Sequence, residues 1–370
     1  MMRYMPETRS CPAVLRQLAE TGNRILSIAP LVLATYGCAA DAPARPELIE
    51  VGAPVRFLGD TTSFGWLTKM ELVGGHLVVG DVYGEYAIHV IDRNTGQIVN
   101  RLGPRGEGPG EVKTIWTLFR DASDSTRVWT FDYENQRFTL WDVFAPQDSA
   151  VVRQFRFLGR LSIASRPVLT PVGLFTIDAQ SGHALGLYDS TGATLLANVG
   201  PLPFDSTSYP DHPLRSSPSA LAEVNDFLPV LDPSLRRMAL LYRRAARMDV
   251  VPLVERPTIS AGPAGELTPP ALGHGNVDFE THSFPQSATE RFVYALYCGC
   301  DPRRGRDHEK DYVSRVYDWR ANRVVDYQLD RYVGAITVSP DDSILYGATE
   351  DPALMVAEWI LPATLRNRRD

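Results

Sequence analysis

Lysine is nearly missing from this chain: Lys69, Lys113 and Lys310 are the only three among 37 basic residues, the rest being arginine. That skew fits a GC-rich genome and carries no functional reading. Cysteine occurs four times in 370 residues, too few for a disulfide scaffold, and a chain of this length buries a core without one. An excess of positive charge is lacking too, with 44 acidic residues against 37 basic and a net charge of −7. A dedicated nucleic-acid binder would show the opposite balance, so nucleic acid is excluded as a partner. No apolar run reaches the ~18 residues that a membrane-spanning helix requires. Helical periodicity is almost absent, and only residues 218–227 suggest a short helix. A disordered chain is excluded by 44% hydrophobic and 22% charged residues.

What is present is a repeat of short strands and turns. Residues 72–80 (LVGGHLVVG), 87–92 (AIHVID) and 97–102 (QIVNRL) form a first set, with Asn94-Thr95-Gly96 as a turn. Five more sets follow, so that the six start near 66, 116, 165, 223, 288 and 335. A period of about 50 residues with four short strands per unit is the signature of a propeller blade. The expected fold is all-β: a six-bladed β-propeller of four-stranded antiparallel blades. Residues 48–58 (LIEVGAPVRFL) are strand-like and precede the first set. Joining them to the last blade as its outer strand closes the ring and hides open edges. Two proline-rich connections, 200–218 and 256–275, exceed the usual loop length and are candidates for surface decoration of one face.

The amino terminus has the form of an export signal. Residues 1–24 carry a net +2, residues 25–36 (ILSIAPLVLATY) are apolar but too short to span a membrane, and Gly37-Cys38-Ala39-Ala40 follow. Cys38 after Gly37 is the candidate lipidation site, although Thr35 and Tyr36 depart from the Leu-small-small-Cys box; cleavage after Ala39 or Ala40 is the alternative. The expected organisation is a lipoprotein-type signal at 1–37, a flexible tether at 38–47, the propeller at 48–365 and a tail at 366–370. Loss of 1–37 leaves a mature chain at about −9.

Residues 101–112 (RLGPRGEGPGEV), followed by Asn135-Gln136-Arg137-Phe138, resemble the Gly-x-Gly-Glu-Gly-Pro-Gly-Glu-Phe signature of six-bladed, NHL-like propellers of bacterial cell envelopes, with Val112 in place of Phe. Residues 292–361, containing VYALYCG, VYDWRANRVVDYQLD and ITVSPDDSILYGATEDP, are similar to the end of TolB-like propeller lipoproteins. The resemblance implies an exported or lipid-anchored propeller at the bacterial envelope, periplasmic or extracellular, and brings no catalytic residues.

Chemical candidates are sparse. Gly103 to Gly110 has no Gly-Lys-Ser/Thr and no following helix, so it reads as a blade crossing with glycines at positive φ and not as a phosphate loop. Arg105, Glu107 and Glu111 within it, together with Asp81, Asp132, Asn135 and Asp178 at strand ends, are the candidates for a binding site at the channel mouth. An aspartate at a strand end equally serves as a turn cap. Cys298 and Cys300 share a strand face and are open to three readings: buried thiols, a strained disulfide, or a metal pair lacking further ligands. No cofactor is implied, and a calcium ion enters only through the alternatives below. The seven histidines are scattered, with no zinc-protease or serine-hydrolase motif. The arginine pairs 236–237 and 243–244 and the cluster 303–306 read as a solvated face.

The expected function is a monomeric binding module of the cell envelope, engaging a protein, peptide or glycan and held by an amino-terminal lipid. Two alternatives are a calcium-type hydrolase or lyase at the channel mouth, with three or more carboxylates or amides converging on one ion, and a structural lipoprotein without a ligand.

Overall fold

Runs such as Val128-Trp129-Thr130-Phe131 place large side chains on both faces of one strand, so a sheet built from them needs cover on both sides. In the computed structural model that cover comes from six small antiparallel sheets arranged as the blades of a propeller. The structure describes residues 46–60, 64–158, 166–177, 182–213, 215–245, 247–253, 258, 260–261, 282–297, 313–350 and 353–365. Cys38, Asp178, Cys298, Cys300 and most of 256–275 lie outside the described residues.

The chain begins with β1 (Glu47–Glu50) and β2 (Arg56–Leu58), which serve the end of the ring. The first blade is β3 (Leu67–Val73), β4 (His76–Asp81), β5 (Tyr86–Asp92) and β6 (Ile98–Pro104). The second is β7 (Ile115–Arg120), β8 (Arg127–Asp132), β9 (Arg137–Asp142) and β10 (Val151–Arg156). The third is β11 (Val168–Thr170), β12 (Gly173–Ile177), β13 (His183–Tyr188) and β14 (Leu195–Pro201). The fourth holds β15 (Phe227–Leu231), β16 (Arg237–Tyr242), β17 (Met248–Pro252) and β18 (Ser260–Ala261). Blade five contains β19 (His282–Ala288), β20 (Phe292–Tyr297), β21 (Val313–Asp318) and β22 (Arg323–Gln328), and blade six β23 (Ala335–Val338), β24 (Ile344–Thr349) and β25 (Met355–Ile360).

The first strand of each blade lies toward the axis: β3 packs on β7 and β23, and β19 on β15 and β23. The end at which these inner strands begin also carries the blade crossings and the β4–β5 type of turn, and is called here the crossing face.

Alternation along the strands shares each blade between two junctions. On β20, Phe292, Tyr294 and Leu296 face blade six, whereas Val293 and Ala295 face blade four. The buried apolar residues accordingly divide into six clusters, one at each junction. The cluster between blades six and one contains Leu58, Leu67, Leu77, Val79, Tyr346 and Val356, so the ring is sealed by the same kind of contact that joins its other members.

Closure uses two strands where the sequence suggests one. β2 runs antiparallel to β25, with Arg56 opposite Glu358 and Leu58 opposite Val356, and completes the fourth strand of blade six. β1 runs parallel to β22 and gives blade five a fifth strand. Residues 200–218 continue into a short helix, α1 (Pro218–Val224), started by the Ser217 hydroxyl and by Pro218 in its first turn. Asn225 ends α1 and ties this connection down: its amide donates to the carbonyls of Leu221 and Phe204, both at 2.8 Å, and accepts from the Phe204 N–H at 3.1 Å. No helix among the described residues is long and apolar enough to cross a membrane.

Candidate functional site

Asp81 ends β4 on the crossing face and is fully buried. Its carboxylate accepts backbone N–H groups from Gly65 (2.7 Å), Trp66 (2.9 Å), Tyr83 (3.0 Å) and Gly84 (2.8 Å). Burial opposes its charge, but these bonds and the nearby His89 outweigh it and bring the pKa down to about 2. His89 Nε2 stands 3.4 Å from Asp81 Oδ2 without hydrogen-bond alignment. The turn is made for glycine, since a Cβ at Gly84 would lie 2.3 Å from Asp81 Oδ2. Asp132 repeats the arrangement at the end of β8, accepting from Lys113 N (2.8 Å), Asn135 N (3.2 Å) and Asn135 Nδ2 (2.7 Å).

Arg105 joins these two sites. Its guanidinium donates to the carbonyls of Gly84 (2.7 Å), Asp81 (2.7 Å) and Lys113 (2.8 Å), fastening the crossing between β6 and β7 to both blades. Glu111 accepts the Gly108 N–H at 2.7 Å, Glu107 pairs with Lys113, and Asn135 reaches the Gly106 carbonyl at 3.3 Å. Gly106 has φ +158, and a Cβ there would collide with Glu111 Oε2. The structure thus brings Arg105, Glu107, Glu111, Asp81, Asp132 and Asn135 into one hydrogen-bonded cluster about this crossing. Their carboxylates are turned toward N–H and ammonium donors, and no cation-binding geometry results. Among the described residues no group of three or more His, Cys, Asp or Glu side chains could hold a metal ion.

A second constellation, which the sequence reading did not select, lines the axis. A cavity of about 50 Å³ is walled by inner-strand residues of blades one to five, among them Lys69 and Glu71 of β3, Arg120 of β7, Arg166 and Gln286. Arg120 Nε lies 3.2 Å from Glu71 Oε2. Arg166, just before β11, bonds Asp226 Oδ1 at 2.7 Å, and Arg243 bonds Asp226 Oδ2 at 2.6 Å. Arg243 therefore turns inward where a solvated face was expected, and Arg244 beside it pairs with Glu223. Lys69 forms no ion pair among the described residues; burial first, then the charges of Arg166 and Arg243, lower its pKa to about 7. Burial raises Glu71, against the opposing pull of Arg120 and Lys69. The available signal was the rarity of lysine, with Lys69 and Glu71 two apart on one strand.

Aromatic side chains frame the crossing face. Trp66 and Tyr83 stack at 5.6 Å with a 20° interplanar angle, and Tyr83 is 74% exposed. In the second blade Trp116 and Tyr133 pack at 5.1 Å, and the Arg166 guanidinium lies 5.8 Å from the Trp116 ring. Stacked, exposed rings suit ligands that offer an apolar face.

No protein-family model matches the chain, and no curated protein matches it significantly in sequence. Among solved structures it is similar to a candidate exported protein of Bacteroides fragilis NCTC 9343, at 10% identity and a TM-score of 0.53, covering 85% of this chain and 98% of that one. It is likewise similar to a member of the DUF4221 family from Bacteroides vulgatus ATCC 8482, at 10% identity and a TM-score of 0.53, covering 84% of this chain and 96% of that one. At such identities the likeness shows the propeller fold alone.

Proposed function

We propose that this six-bladed propeller is an exported binding module of the bacterial cell envelope, related to TolB-like and NHL-like propeller lipoproteins and tethered through a lipid on Cys38. It engages an envelope protein, peptide or glycan through its crossing face. The observation that carries the reading is the stacked Trp66–Tyr83 pair, left open on that face with Tyr83 74% exposed. The export-like amino terminus and the description of the Bacteroides fragilis neighbour as exported support the compartment. The buried Asp81 and Arg105 cluster makes the face rigid, which lowers the entropic cost of ordering a binding surface.

The test is capture by chemical crosslinking from a bacterial envelope extract, comparing the protein with a Trp66→Ala/Tyr83→Ala variant of unchanged melting temperature. A specific species captured by the first and lost by the second is expected. Equal capture by both, or none by either, overturns the proposal.

A further inference from the structure

Beside the Trp66–Tyr83 stack the crossing face is hollowed into a groove of about 430 Å³, lined by Phe64, Tyr83, Glu85, Tyr86 and Arg101 with two glycines between them. That volume falls within the ~300–1,000 Å³ of ordinary small-molecule sites. Its walls are fixed from behind. The Phe64 ring meets the His89 imidazole edge-on at 5.0 Å and 87°. Gly65 passes so close to Gly84 that a Cβ on it would lie 2.3 Å from the Gly84 nitrogen. Tyr83 is held by Trp66 and still leaves 74% of its surface to solvent.

The backbone here has nothing left to offer a ligand. The N–H groups of Gly65, Trp66, Tyr83 and Gly84 go to Asp81, and that of Val82 goes to the Trp66 carbonyl at 2.9 Å. The carbonyls of Asp81 and Gly84 accept from Arg105. A peptide strand therefore finds no ladder edge to extend. Side chains remain. The polar tips of Trp66, Tyr83 and Tyr86 and the carboxylate of the exposed Glu85 have no partner among the described residues.

Ring faces accept C–H groups, Glu85 and the tyrosine oxygens accept hydroxyl or amide hydrogens, and the five N–H groups of Arg101 seek oxygens. A sugar unit meets these demands together, with an apolar C–H face and a rim of hydroxyls that both donate and accept. One acid and one base on the same walls favour a ligand without net charge. A proline-rich segment, the peptide class that docks on aromatic grooves, has no N–H at its prolines for Glu85 to accept.

We infer that this groove is the seat of a neutral glycan, one sugar ring lying on the open face of Tyr83 with its hydroxyls shared by Glu85, Tyr86 and Arg101. The inference rests on the crossing face being the binding surface, and it narrows protein, peptide or glycan to glycan.

Cellotetraose, chitotetraose and maltotetraose are the probes, with decaproline as the peptide counterpart, each titrated calorimetrically into the purified protein. Saturable binding of at least one tetrasaccharide is expected, with an affinity unchanged between about 0.05 and 0.5 M salt, since a neutral ligand leaves no charge to screen. Tyr83→Ala is expected to weaken it by about tenfold and Glu85→Ala several-fold. Both side chains are exposed, so an unchanged melting temperature accompanies the loss. Phe144→Ala is the control, in a separate groove of about 390 Å³ that it lines with His76 and Val99 at the other end of the first two blades, and leaves the affinity as it was. Absence of saturable binding by every tetrasaccharide overturns the inference. So does binding of decaproline alone, or a tetrasaccharide affinity indifferent to Tyr83→Ala. Should Trp66→Ala/Tyr83→Ala still abolish envelope capture while no sugar binds, the crossing face stands as the binding surface and the glycan alone falls; loss of both results overturns both readings.

Discussion

Asp81 holds four backbone N–H groups in a site from which water is excluded, so its role is structural before it is anything else. Asp81→Asn sets an NH₂ against some of those donors and is expected to cost about 2–4 kcal/mol, read as a lowered urea midpoint at pH 7. The acid limb gives a second reading. The carboxyl titrates at about 2 in the fold against an ordinary 3.8. Its contribution is therefore complete above pH 4 and is lost as the pH falls toward 2, where the unfolded chain binds the proton more readily. The variant should show a flatter stability profile between pH 4 and 2; an unchanged slope would refute this account of Asp81. At this scale the sequence was half legible. Acids at the ends of strands could be picked out by position, and turn capping was one of their two readings. The donors from Gly65 and Trp66, sixteen and fifteen residues upstream, could not be picked out, since they come from the segment that leads into β3. Lys69 was hidden for a related reason: a register shift between Leu67 and Lys69 breaks the strict alternation from which a strand face is read.

Among the elements, β2 is short but occupies a decisive edge. Leu58 is 1% exposed in the cluster between blades six and one. Arg56 pairs with Glu358 and donates to the carbonyls of Arg93 (2.7 Å) and Asn94 (2.8 Å) in blade one. Leu58→Ala is expected to lower stability by about 2–4 kcal/mol in urea unfolding, whereas Val99→Ala, at a half-exposed site on β6, should stay within about 0.5 kcal/mol. Equal effects would mean that the junction through β2 is not what closes the ring. The sequence pattern at 48–58 showed the strand character and its destination in the last blade. It did not show the division into two strands, for which Gly52 and Pro54 are the local cause: proline gives no N–H to a ladder, and the chain turns there from blade five to blade six.

For the molecule as a whole, the period near 50 residues foretold six blades because each blade repeats one demand, a sheet apolar on both faces, and the six junction clusters are the answer. The lumen was illegible because it gathers a few residues from each of five blades, which no local pattern links. The envelope assignment is open to a direct check. Mass spectrometry of protein recovered from bacterial membranes should find a mature chain starting at Cys38 with added acyl mass; an unmodified chain starting at Ala40 would refute the anchor.

The pairing of β2 with β25 also sets an order of events. Arg56 and Glu358 are separated by 302 positions, and the ribosome makes the first long before the second. Until the last blade emerges, β2 has no sheet to join, and the growing ring keeps open edges at both ends. Because loop closure over such a span is slow relative to local hairpin formation, each blade can form early while the circle forms last. A nascent or truncated chain is therefore an open arc whose edges can capture another such arc, and only the finished chain is protected from its own copies.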